Sequence, residues 1–261
     1  MTRDIARPKA LAHWRVGCAG WSMPADNGPE PVSAGSHLER YARAFSCVEV
    51  NSSFYRPHRE ATYARWASAV PPWFRFSVKV PRAVTHEARL RHTGSLLDAF
   101  LAQSSGLGDK LAILLVQLPP SLTFDADVAR AFFALLRDRT PVPVVLEPRH
   151  GSWFTATAYE TGRGFGIDWV YAHPRPAGSD GMHLPVPTRL LYLRLHGAPD
   201  LYRSSYDAAF LEELARWLLA AKRAGSSFWC VFDNTAHGHA IANARTVLRH
   251  LEAGGASWHP R

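Results

Sequence analysis

The chain has 261 residues, 47% of them hydrophobic and 20% charged, which excludes a disordered polymer and lets most of the surface be buried without disulfides or structural metal. Thirty Lys and Arg against 22 Asp and Glu give a formal charge of +8. Only Lys9, Lys79, Lys110 and Lys222 are lysines; the other basic residues are arginines, whose planar fork suits phosphate and carboxylate partners. The basic residues are scattered rather than clustered, so charge alone keeps nucleic acid as one anionic partner among several.

Strand-like apolar runs cover 14–20, 46–51, 74–80, 112–118, 142–147, 168–172, 191–196 and 228–234. Most are apolar without alternation, as parallel strands covered on both faces are. Between them, 37–45, 60–69, 95–103, 125–137, 206–223 and 236–251 repeat apolar residues at helical spacing, and 152–162 does so more weakly. Asp125 and Asp207 stand where helix starts favour an acidic residue. Eight strands alternating with helices in this length predict one α/β domain over 1–261, a (β/α)8 TIM-barrel-like fold after a short tail, 1–13. An open doubly wound sheet is the alternative, and no G-x-G-x-x-G follows the first strand to favour it. The stretch 173–189 is rich in Pro and Gly, so the sixth helix is expected to be missing or degenerate; 23–35 reads as a long loop.

Cys18, Cys47 and Cys230 sit singly in apolar runs, which predicts buried reduced thiols rather than a disulfide framework or a zinc site. The first residues lack the apolar stretch of a secretory signal, and no apolar run approaches a membrane span. The expectation is a cytoplasmic protein with no membrane association.

Catalytic groups of such barrels lie at the C-terminal strand ends, and here those ends are polar. They carry Glu49 and Asn51 in the second run, Lys79 in the third, Gln117 in the fourth, Glu147, Arg149 and His150 in the fifth, Arg194 and His196 in the seventh, and Asp233 and Asn234 in the eighth. Alternation puts Glu49 with Asn51, Glu147 with Arg149, and Arg194 with His196 on common faces. Lysine and glutamate are seldom buried unpaired. The cluster therefore reads either as an anion or sugar site with acid and base groups, or as a structural ion-pair plug. A divalent metal held by the carboxylates is a third reading, opposed by the neighbouring positive charge; no metal and no cofactor is expected. Trp21 and Trp153 follow strand ends and could stack on a sugar or base or simply pack. Tyr55 and His86 follow the second and third runs and could reach the rim.

The motifs VGCAGWS, VEVNSSFYRPH, FSVKVPRAVTH, LLVQLPPSL, VLEPRHGSW, LYLRLHG and VFDNTAHGHAIANA occur in that order. Together they resemble the YecE-like family, domain of unknown function number 72, from about Val16 to Leu251. The resemblance implies a TIM-barrel variant. It also implies recurring polar positions at Glu49, Asn51, Tyr55, Lys79, His86, Gln117, Glu147, Arg149, His150, Trp153, Arg194, His196, Gly197 and Asn234. Asp233 departs from the Asn-Asn common there, turning an amide into a potential base or ligand. The resemblance locates a site and leaves the reaction open.

The leading expectation is an enzyme, of hydrolase, lyase or isomerase type, acting on a small phosphorylated or sugar-like substrate or on nucleic acid. In it Glu49, Glu147 and His196 are catalytic, and Arg149, Arg194 and Lys79 hold the anion. Asn51, Tyr55, His86, Gln117, His150, Trp153, Asn234 and Trp21 line the substrate. The competing expectation is a non-catalytic anion- or nucleic-acid-binding module.

Overall fold

The computed structural model describes residues 14–22, 35–179 and 190–256. Its strands are β1 (Arg15–Ala19), β2 (Cys47–Val50), β3 (Arg75–Lys79), β4 (Leu111–Gln117), β5 (Val144–Glu147), β6 (Ile167–His173), β7 (Leu190–Leu195) and β8 (Ser227–Phe232). They pair in parallel and in chain order, and β1 closes on β8. The α-helices among the described residues are α1 (His37–Ala44), α2 (Glu60–Ser68), α3 (Gly94–Ser104), α4 (Ala126–Arg139), α5 (Ala156–Gly164), α6 (Ala208–Arg223) and α7 (His239–Ala253). All eight predicted strands and all seven predicted helices form, which makes this the (β/α)8 TIM-barrel-like fold.

Residues 174–179, after β6, are not helical. The rest of the stretch expected to lack a helix, 180–189, lies outside the described residues. So do most of the predicted loop at 23–35 and the predicted tail, 1–13.

Helix starts follow local chemistry. Ser36 and Glu39 form a reciprocal capping box on α1, Asp125 accepts from the backbone of Asp127 and Val128, and Asp207 accepts from Phe210 N. Arg137 and Arg139 close α4, and Lys222 and Arg223 close α6, where cations oppose the carbonyl ends. The fifth helix starts later than its pattern predicts. His150 Nδ1 accepts from Ser152 N and closes a 3-10 turn at Gly151–Trp153, and Thr155 then caps α5.

The unbroken apolar runs have a simple cause: strands such as β2, β5, β7 and β8 are buried on both faces. Val48, Val50, Phe76, Val78, Leu114, Val116, Leu193 and Leu195 join the layer beneath the helices. Ile113, Leu115, Val145, Val170, Leu190, Trp229 and Val231 fill the lumen. Above that lumenal core the inward positions turn polar, with Glu49, Ser77, Lys79, Glu147, Arg194, His196 and Asp233 all buried.

Candidate active site

Arg194 is the centre of the polar layer. On β7 the sequence Leu190-Leu191-Tyr192-Leu193-Arg194-Leu195 alternates faces, so Tyr192 and Arg194 both point into the lumen and His196 follows them. The Arg194 guanidinium donates from Nε and Nη2 to both oxygens of Glu49, at 3.0 and 2.7 Å. Nη1 donates to Glu147 Oε2 at 2.6 Å, and Nη2 donates also to Asp233 Oδ2 at 2.9 Å. Tyr192 donates to Glu49 Oε2, and its hydroxyl lies 2.9 Å from Ser77 Oγ.

One arginine thus serves three carboxylates from three other strands. Burial works against its charge, but Glu147, Glu49 and Asp233 outweigh burial and keep Arg194 protonated well above its ordinary range. Burial would likewise raise Glu147 and Asp233. The nearby cations reverse this, holding Glu147 well below and Asp233 below the usual carboxylate range.

His196 is fully buried between two of these carboxylates. Its Nδ1 lies 2.9 Å from Asp233 Oδ2 and its Nε2 lies 3.0 Å from Glu147 Oε1. The same Nε2 is 3.0 Å from Arg149 Nη2, which also pairs with Glu147 Oε1 at 2.5 Å. Two complete hydrogen-bond sets therefore exist. A protonated ring donates to Asp233 and Glu147; a neutral ring donates to Asp233 and accepts from Arg149.

Lys79 stands apart from this network. It is 5% exposed, at the lumenal end of β3, yet no carboxylate among the described residues lies within 4 Å of its ammonium. Its Nζ sits 4.1 Å from the centre of the Phe54 ring. Burial, reinforced by Arg194 and only partly opposed by the carboxylates, lowers its pKa to about 8.

The remaining predicted residues divide by position. Asn51 follows β2 with its Oδ1 buried and without a hydrogen-bond partner among the described residues, and Gln117 ends β4 in register with Glu147. His86 packs edge-on against Phe54, 4.9 Å away, and its Nδ1 lies 2.9 Å from Thr85 Oγ1. Burial and then Lys79 lower its pKa. Tyr55 is exposed and borders a cleft of about 380 Å3 between the loops after β2 and β3 and helix α3.

Five of the residues expected to meet a ligand are engaged within the protein. Arg194 is spent on carboxylates and has no exposed face for an incoming anion. Trp153 is 1% exposed, donates its indole N–H to Leu122 O and packs on Phe124. Trp21 is part-buried against the core and meets Trp66 of α2 edge-on, 5.0 Å away. His150 commits Nδ1 to its own turn. Asn234 donates to Ser204 O and Asn243 Oδ1, tying the loop after β7 to α7.

Three participants were missing from the predicted set. Tyr192 and Ser77 each lie two residues before a residue that was included, so the strand alternation contained the signal. Tyr202 has no such signal. It is 40% exposed, and its ring meets His196 edge-on at 5.5 Å. The loop that carries it depends on Gly197, which has φ +88° and whose Cα would place a side-chain carbon 2.7 Å from Ser204 O.

Comparison with known proteins agrees with this architecture. A YecE protein of Escherichia coli K12 is 36% identical over 98 residues, which spans 37% of this chain and 36% of that relative's length. YunF of Bacillus subtilis is 26% identical over 91% of this chain and 94% of its own. A crystal structure of a DUF72 family protein from Thermotoga maritima superposes with a TM-score of 0.79, at 25% identity, covering 92% of this chain and 99% of that one. A DUF72 family protein from Enterococcus faecalis, 21% identical, shares the fold at a TM-score of 0.72 over 94% of this chain and 99% of its own. Residues 15–260 match the family described as Protein of unknown function DUF72, and the chain belongs to that family.

Proposed function

We propose that the C-terminal mouth of the barrel is an acid–base active site for a small anionic substrate, phosphorylated or sugar-like. The observation that carries this reading is His196, buried with a hydrogen-bond set for each of its protonation states. A proton leaving His196 is matched by Arg149 turning its N–H to the vacated lone pair, and Arg149, part-exposed, is the member of that set that reaches the mouth. Glu147 and Asp233 hold the ring in place, as orienting carboxylates do for catalytic histidines. Glu49 is bound by both Arg194 and Tyr192, so its role here is to fix Arg194 rather than to take a proton.

Arg149 is the arginine left for substrate. Its side chain is 16% exposed, and its Nε is buried with no partner among the described residues. Asn51 Oδ1 offers an acceptor with no partner among the described residues. A divalent ion fits less well, because the Arg194 guanidinium already bridges the three carboxylates that would ligate it. The chemistry is sunk in the lumen rather than spread over a surface, which favours a small molecule over a polymer and over a purely adhesive module.

The test is titration with inorganic phosphate and a set of sugar phosphates, followed by mass-spectrometric screening of phosphorylated metabolites for turnover. Saturable binding should weaken at least about tenfold in Arg149→Met, the loss of one charge-assisted contact. His196→Asn should keep binding and lose turnover. Absence of saturable anion binding, or equal affinity in Arg149→Met, would overturn the reading.

A further inference from the structure

We infer that Lys79 is a nucleophile that forms an imine with a carbonyl-bearing substrate at the barrel mouth. The inference rests on the proposed function in taking the mouth as the reaction site, and it adds the substrate class.

The argument begins with what Lys79 lacks. Three carboxylates share its lumen, and a lysine kept there for stability would pair with one of them. Instead Arg194 and Arg149 take them, and Lys79 Nζ rests against the face of Phe54. A desolvated amine with a cation for a neighbour is how lysines become nucleophilic near neutral pH. The depressed pKa of about 8 agrees, since an appreciable fraction of the side chain is then free amine at pH 7.5.

The chemistry balances with the groups present. The Lys79 amine adds to the carbonyl carbon, and one of its protons passes to the carbonyl oxygen, giving a carbinolamine. The carbinolamine hydroxyl takes a proton from hydronium of the solvent at the mouth and leaves as water. The nitrogen lone pair becomes the second C–N bond, leaving a protonated imine. Nothing is oxidised or reduced. The imine then draws electrons from an adjacent C–H or C–C bond, the step common to lyases and isomerases of carbonyl compounds.

Four lysines make the test clean. Formaldehyde, the smallest carbonyl probe, is added with cyanoborohydride at pH 7.5, and methylation of each lysine is followed by peptide mass mapping. Lys79 should react at least about tenfold faster than Lys110 or Lys222, as its free-amine fraction requires. Dihydroxyacetone phosphate with borohydride should add one adduct per chain at Lys79, lost in Lys79→Arg and reduced in Arg149→Met. Formaldehyde labelling of Lys79 that is no faster than that of Lys110 and Lys222 overturns the inference, and so does an adduct that persists in Lys79→Arg. Trapping of the phosphate ester at Lys79 that is equal in wild type and Arg149→Met supports the nucleophile and overturns instead the role of Arg149 as anion holder.

Discussion

Replacing Arg194 with methionine tests whether it is the keystone of the lumen or a substrate-binding group. Its side chain is 1% exposed, and those of Glu49, Glu147 and Asp233 are 0%, 1% and 5% exposed, so none of the three carboxylates can turn to water when the guanidinium goes. Removing one partner of a buried ion pair costs about 3–5 kcal/mol. At about 2–4 °C per kcal/mol, the melting temperature should drop by roughly 6–20 °C at pH 7.5. Methionine fills much of the same volume, so the loss is electrostatic rather than a cavity. Acid should narrow the gap. In the wild type, Glu147 and Asp233 have lowered folded pKa values. Their contribution is therefore present above the ordinary carboxylate range and is lost as pH falls through those lowered values. In the variant, burial raises the same groups, so they take up protons closer to neutrality and the variant recovers as pH falls. Calorimetric unfolding at pH 7.5 and 5.5 decides it. A shift under about 2 °C at pH 7.5, worth less than about 1 kcal/mol, would refute the keystone argument, as would a gap that widens in acid.

Tyr192→Phe should cost about 1–3 kcal/mol, because it leaves a buried Glu49 oxygen one donor short, and chemical denaturation would show it as a lower midpoint at unchanged slope. Cys18, Cys47 and Cys230 are all buried and free, and burial raises each thiol, so a thiol-specific disulfide reagent should release no colour from these three in the native state and react with all three after denaturation. Fast reaction of any of them in the native protein would mean that the barrel wall opens.

The fold was legible because a parallel barrel strand is buried twice. Runs such as Ala112 to Val116 are apolar at every position, serving the lumen with Ile113 and Leu115 and the helix layer with Leu114 and Val116. The buried polar layer was legible for the same reason in reverse: Glu49, Lys79, Glu147 and Arg194 each interrupt or end an otherwise apolar run. What the chain order does not encode is pairing. Arg149 and Arg194 look alike in sequence, each two residues from another charged or titratable group. Their difference comes from depth, with Arg194 a strand residue among three carboxylates and Arg149 two residues beyond the end of β5. Trp21 and Trp153 were unreadable because a residue just past a strand end has no fixed face. Tyr202 was unreadable because its place over His196 depends on a loop closure, not on a period.

The charges of the mouth have unequal claims on stability, and Lys79 is the one whose removal should help. Its folded pKa is about 8 against an ordinary 10.5. Well below pH 8 it is charged in both states, and folding must bury that charge with no carboxylate among the described residues within 4 Å. The lowered pKa corresponds to a penalty of about 3 kcal/mol at one unit per 1.36 kcal/mol. The sign follows from proton counting. Between about pH 8 and 10.5 the unfolded chain binds more protons at this residue than the folded one, so the penalty shrinks as pH rises through that window. Lys79→Met should therefore unfold at a higher temperature than wild type at pH 7, with the advantage fading toward pH 10. A lysine kept for structure would behave in the opposite way, because its loss would strand a partner. Parallel melting curves at pH 7 and pH 10 separate the two cases: destabilisation by Lys79→Met at pH 7 would show a stabilising role. The expected gain would mark Lys79 as a group retained at a cost in stability, which is the usual signature of a residue selected for chemistry.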